Sequence, residues 1–316
     1  MSKLYFYLVE FKVLLLLIVS LLFFSCKDKN ETKINFYVTK TNFSLSKKEK
    51  LVLEQNKSEK LYINFYTIKI KQNKTYPTYI IIGDNLPENK KNIPVIKIDY
   101  EVLEELKYKN IDTLVNRIAQ LNNQIYKIKR IKPLEVLIDY NWNLATKDNY
   151  FYFIEKLSKL SNQKISIFVR PNQLKYNQKE ISNNVSSGVF IFSNENNFIK
   201  NELFNKNSVL NKELKNTNYI DKLLIPSLFL YHKKNKNLTC IPISFLNKPK
   251  DEIDENLKKI NSELFIFKRN FKFNKLLIKQ KDSLILKKIN PIFKKKLLSF
   301  LVKNHKLNEI IFKEIN

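Results

Sequence analysis

Apolar positions along this chain switch between two periods, and the switches mark alternating strands and helices. Residues 61–68 form a run rich in β-branched and aromatic side chains and predict a strand. Residues 93–98 predict a second. From Ile111 the spacing changes: Ile111, Leu114, Val115, Ile118, Leu121 and Ile125 recur at helical intervals, with Asn110 or Asp112 placed to cap them. Pro133 closes that helix, and residues 134–138 are an apolar strand ending on Asp139. Thr146 stands as the N-cap of a helix carrying Phe151, Ile154, Leu157 and Leu160 on one side. Further strands are predicted at 164–169, 188–192, 223–230, 238–245 and 264–267, and helices near 254–260 and 291–302.

Strand–helix alternation with strands apolar on both faces implies a parallel sheet covered by helices. The number of units fits one α/β domain over residues 34–316, a (β/α) TIM-like barrel with distorted first and last units. A doubly wound open sheet satisfies the same pattern. In either fold the working residues gather where strands end, at the C-terminal edge. Four predicted strands end in distinctive polar groups: Asp139, Asn141 and Trp142; Arg170, Gln173, Lys175 and Tyr176; Asn194 and Glu195; Tyr231 and His232. Each alone reads as well as a turn or a helix cap. Their shared position marks the candidate site.

The first 25 residues read differently. Lys3 and Lys12 precede an apolar run from Val13 to Phe24, broken only by Ser20, and Ser25 and Cys26 follow. These are the parts of a secretory signal peptide. A cysteine directly after a small residue resembles a lipobox, in which the thiol is acylated by a palmitate-type chain and becomes the new N-terminus. Phe23 stands where a lipobox usually has Leu. The alternative is an uncleaved anchor, since residues 6–24 approach the ~20 apolar residues that span a bilayer. Both readings place the chain in the cell envelope, held to a membrane on its periplasmic or surface face, with residues 26–33 as a polar tether.

Composition narrows the chemistry. With Cys26 acylated, Cys240 is alone and no internal disulfide forms, so stability rests on the core. Two histidines, His232 and His305, exclude a Cys/His zinc cluster. Two glycines, Gly83 and Gly188, exclude the phosphate-cradling loops of nucleotide sites. No metal or cofactor is expected. The net charge of +27 comes from lysines spread through every segment among Asn and Ile, the signature of A+T-biased composition rather than of a nucleic-acid site. It still predicts salt-dependent attraction to anionic lipid or acidic polysaccharide.

Four segments carry a resemblance. LEVLIDYNWN (134–143) followed by TKDNYF (146–151), ISIFVRPNQLKY (165–176), VSSGVFIFSN (185–194) and LIPSLF (224–229) resemble, in order and spacing, motifs of a family of uncharacterised bacterial lipoproteins. That family reads roughly E-x-Q-x-D-x-D-W-T with T-x-x-x-Y-F, S-x-T-I-R-L-x-Q-x-K-Y, V-x-x-G-x-x-L-M-x-Y-N and A-L-P-x-F. The resemblance covers about residues 60 to 230. It implies a glycoside-hydrolase-like TIM barrel with a site built from Asp139, Asn141, Trp142, Arg170, Gln173, Lys175 and Asn194. Here the family's second Asp is Asn141, its Gln is Leu137 and its Thr is Asn143.

That departure divides the functional expectation. Glycoside hydrolysis ordinarily needs two acidic groups, and an amide transfers no proton. In an exported glycoside hydrolase, Asp139 would be the acid/base, Asn141 and Asn194 would orient a glycan, and Trp142 would be its stacking platform. Arg170 and Lys175 would meet an anionic substituent. In a non-catalytic carbohydrate-binding or structural version, Asp139 and Arg170 would be an ion pair holding strand ends, and Trp142 a core plug. Glu135 shares Asp139's side of the pleat but lies ~13 Å down the strand, too far to complete a retaining pair.

Overall fold

A computed structural model describes residues 32–170, 173, 184–191, 219–226, 307–313 and shorter stretches between 228 and 299. Eight parallel strands close into a barrel: β1 (Lys33–Val38), β2 (Lys60–Lys71), β3 (Lys91–Ile98), β4 (Glu135–Asp139), β5 (Lys164–Val169), β6 (Ser187–Ile191), β7 (Ile220–Pro226) and β8 (Glu309–Lys313). Each pairs with its neighbours in sequence, and β1 joins both β8 and β2, so no edge remains within the ring. The closed barrel, not the open sheet, is the architecture. Closure explains why β4 and its neighbours are apolar at successive positions. Val136 and Ile138 face the helices, while Leu137 faces inward with Tyr37, Val95, Phe168, Val189, Leu224 and Ile311.

Helices α1 (Lys47–Gln55), α2 (Tyr100–Glu105), α3 (Tyr108–Lys129) and α4 (Lys147–Leu160) cover the first half. α1 starts on a capping box, with Ser46 Oγ accepting from the Glu49 amide and Glu49 accepting from the Ser46 amide. α3 carries the apolar stripe foreseen from Ile111 but begins at Tyr108, before either expected cap. Thr146 does precede α4. Its hydroxyl, however, accepts the Asn143 amide at 3.2 Å rather than capping the helix.

After β2 an antiparallel hairpin strand, Lys74–Thr78, stands where a barrel would ordinarily place its next helix. Its two-residue turn has Gln72 at φ 50 and Asn73 at φ 59, the geometry that matches the twist of paired strands. The two glycines sit where a side chain would collide. A Cβ on Gly83 (φ 90) would lie 2.4 Å from the Phe43 carbonyl, and one on Gly188 2.8 Å from the Tyr219 ring.

Between β7 and β8 the expectation fails. The run 223–230 is two strands: β7 ends at Pro226, and Leu228–Lys234 belongs to a separate five-stranded antiparallel sheet. Asn237–Ile241 and Leu264–Phe267 join that sheet too, so these apolar runs are not barrel units. Leu257–Lys259 is a strand of the same sheet, within the stretch read as a helix near 254–260. The predicted helix near 291–302 lies outside the described residues apart from Ser299, which is helical.

The N-terminal end of the barrel interior is plugged by charge. Lys222 pairs with Glu135, whose carboxylate also accepts from Ser166 Oγ at 2.6 Å. Glu309, 3% exposed, pairs with Lys60 at 2.7 Å and accepts from Asn35 Nδ2 at 2.8 Å. Lys60 stands 3.8 Å from Glu135 and so links the two pairs. Asn35 Oδ1 accepts from the amides of Glu59 and Lys60 and from Ser58 Oγ. Burial raises the Glu135 pKa, but the Lys222 ammonium and the hydrogen bonds outweigh it and the net shift is down. Burial likewise opposes the Lys60 charge, and Glu309 overrides it, raising the ammonium.

Candidate functional site

The C-terminal mouth is assembled by the inward parity of the strands. Lys97 lies beside Asp139 in the β3–β4 register, and Asp139 shares its side of β4 with Leu137 and Glu135. Arg170 follows directly on β5. Its Nη2 donates to Asp139 Oδ1 at 2.5 Å, and its Nη1 to the Tyr140 carbonyl at 3.1 Å. Both side chains are only partly covered, at 16% and 24% exposure, so the pair forms part of the mouth's surface.

A second layer fixes this pair. Gln173, fully buried, accepts from the Arg170 amide at 2.8 Å and donates to the Trp142 carbonyl at 3.1 Å. It clamps the segments after β4 and β5 together instead of facing a ligand. Trp142 is 1% exposed and packs on Phe151 and Tyr150, at centroid distances of 5.4 and 6.3 Å. The ring is therefore closed to a sugar, and the stacking-platform expectation is corrected: an indole among α4 aromatics buries more apolar area than a solvent-facing one could. Tyr140 is also buried, its hydroxyl donating to the Tyr100 carbonyl at 3.0 Å, and burial pushes its pKa up to about 12. Asn141, between these two buried rings, is exposed.

Of the expected site residues, Asp139, Asn141 and Arg170 are at the mouth, while Gln173 and Trp142 brace it. Lys175 and Asn194 lie outside the described residues, as do Cys26 and the rest of 1–31. Tyr231 and His232 sit on the antiparallel sheet and not at a barrel strand end. Glu135 is tied to Lys222 at the opposite end of the barrel and is no partner for Asp139.

Two groups were missed. Tyr37 projects from β1 toward the Asp139–Arg170 pair, and its phenol is held neutral, by burial first and by Asp139 second. No strand is predicted at residues 33–38, and the expected tether takes in Lys33, the first residue of β1. Asp99 directly follows β3 where Asp139 ends β4, so the strand-end rule would have found it. It stands 3.7 Å from Lys69 and 3.9 Å from Lys97. Asp139 and Asp99 thus each have a cationic partner.

No protein-family model and no curated protein matches the sequence. Solved structures match the fold. A GH18 chitinase from Cycas revoluta in complex with (GlcNAc)3 superposes with a TM-score of 0.51 at 9% identity, over 89% of this chain and 94% of that one. The chitinase RmChi1 from Rhizomucor miehei gives 0.50 at 8%, over 89% and 93%. YKL-39, solved in the presence of chitooligosaccharides, gives 0.50 at 8%, over 89% and 91%. The chain therefore has a TIM-barrel fold, shared with these proteins at identities that establish architecture alone.

Proposed function

We propose that the chain is a membrane-anchored lipoprotein whose barrel mouth binds a glycan without cleaving it. The observation that carries this is the state of Asp139. Its carboxylate accepts from Arg170 at 2.5 Å, and the position two residues on is the amide Asn141. A general acid must present a proton to the leaving oxygen, and here the Arg170 guanidinium already takes up Oδ1 of the same carboxylate. The pair is suited to hold hydroxyls and strand ends, as the replacement of the family's second Asp by Asn141 in this chain also favours. That chitooligosaccharides accompany several structures of the same fold makes a glycan the natural ligand class to test.

Prolonged incubation with chitotetraose, followed by chromatographic product analysis, is expected to show intact tetramer. Cleavage that Asp139→Asn abolishes would establish the exported-hydrolase alternative. The anchor rests on the sequence, from Val13 to Cys26. Cys26→Ser is expected to move the protein from the membrane pellet to the soluble fraction; a variant still sedimenting with membranes would make 13–24 the anchor.

A further inference from the structure

The hairpin after β2 carries the inner face of the barrel beyond its rim. Lys97 lies opposite Thr67 across the β2–β3 register, so Thr67 and Lys69 share the mouth-facing side of β2. Lys69 is directly opposite Tyr76 in the hairpin, and residues paired this way point to the same side. Tyr79 follows at φ 52, a left-handed backbone that costs an aromatic residue about 1 kcal/mol or more and persists only where something holds it. That turn brings the Lys69 ammonium to 5.6 Å from the Tyr79 ring centroid while leaving Tyr79 60% exposed. Lys97 completes the wall with its side chain 50% exposed.

The charge on this wall is incomplete. Two ammonium groups share one carboxylate, Asp99, at 3.7 and 3.9 Å, beyond tight hydrogen-bonding distance. One positive charge is left over beside an open aromatic face, and ammonium groups on long stems can turn to a new acceptor.

We infer that Lys69, Tyr76, Tyr79 and Lys97 form a subsite for an acidic oligosaccharide, a sugar ring lying on Tyr79 and its carboxylate received by the two lysines. The inference rests on the proposed glycan-binding function and narrows its ligand to uronic-acid-type chains over neutral ones. It also supplies the exposed aromatic surface that Trp142 does not.

The test is calorimetric titration of the full acylated protein in a neutral detergent, with tetragalacturonate and with chitotetraose. Tetragalacturonate is expected to bind about 10-fold more tightly, with an affinity that falls as salt rises. Tyr79→Ala should weaken it ~5–10-fold, as loss of a stacked face does. Lys97→Gln should weaken it about 5-fold, and Lys132→Gln, at the opposite end of the barrel, should leave it unchanged; all three positions are exposed, and unchanged melting curves confirm folding. Equal binding of the two tetramers, indifference to Tyr79→Ala, or equal losses from Lys97→Gln and Lys132→Gln would overturn the subsite. Chitotetraose binding that survives Tyr79→Ala would do so while leaving the glycan-binding reading intact. If neither tetramer binds, both fall.

Discussion

Replacing Lys222 with methionine is expected to destabilise the barrel by about 3–5 kcal/mol, the usual loss when one member of a buried ion pair is removed. Lys222 is 4% exposed, and its ammonium is the chief counter-charge to Glu135 at the sealed end of the barrel. Without it, Glu135 keeps the Ser166 hydroxyl at 2.6 Å and a distant Lys60 at 3.8 Å. Thermal unfolding should fall by roughly 10 °C for a domain of this size. The double replacement Glu135→Leu with Lys222→Met should recover much of the loss, because no unpaired charge is then left inside. A double variant as unstable as the single would mean that the pair is not what Lys222 supplies.

The same network sets a pH window. The Glu135 carboxyl titrates below its usual 4.5 in the folded chain, so its contribution is full above 4.5 and is lost as pH falls through the lowered value. Lys60 titrates above its usual 10.5, so its contribution is full below 10.5 and is lost as pH rises through the raised value. The contribution of this network should be flat between these limits. Lys222→Met should flatten the acid limb of the curve, since the main force lowering Glu135 is gone.

The sequence disclosed the barrel where the barrel is regular. α3 and α4 are amphipathic over three or more turns, and β3 to β6 are apolar on both faces because both faces are covered, so periodicity and run length sufficed. The second half was read less well for a physical reason. Leu228–Lys234, Asn237–Ile241 and Leu264–Phe267 are also apolar runs bounded by polar residues, and short runs carry no mark of parallel or antiparallel pairing. Partner choice for such strands is made by long-range closure, which local pattern does not record. β1 and β8 were overlooked for a related reason. β1 carries an inward Asn35 and β8 an inward Glu309, whose charge and amide are tolerable only because Lys60 arrives from another strand.

The candidate site was half legible. Chain order placed Asp139 and Arg170 after consecutive parallel strands, and parallel neighbours in a barrel must bring such ends together. Side-chain direction one residue later was not legible. Asn141 and Trp142 leave the strand for a loop, where the alternation that sorted Leu137 from Ile138 no longer applies. The hairpin wall escaped because Lys69 and Tyr76 become neighbours only through a two-residue turn built on Gln72 and Asn73, a pair without the glycine that usually announces it.

Trp142 is where the two halves of that reading meet, and its removal is expected to be as costly as the loss of Lys222. Trp142→Ala should destabilise by about 3–5 kcal/mol, because the cavity opens among Tyr150, Phe151 and the Gln173 clamp, which the closed barrel prevents from collapsing. Trp142→Phe keeps a ring in place and should cost less than half as much, measured by urea denaturation of both variants beside the parent chain. As the chain's only tryptophan, buried at 1%, it should fluoresce in the blue and resist quenching by acrylamide, with glycan added or not. The decisive comparison is glycan affinity in folded Trp142→Phe. A ring that braces the loop from beneath should leave affinity within about 2-fold of the parent, since the mouth-facing groups keep their places. A loss of 10-fold with stability intact would return the indole to the ligand's side of the loop. It would then be the Tyr79 face that carries little of the binding.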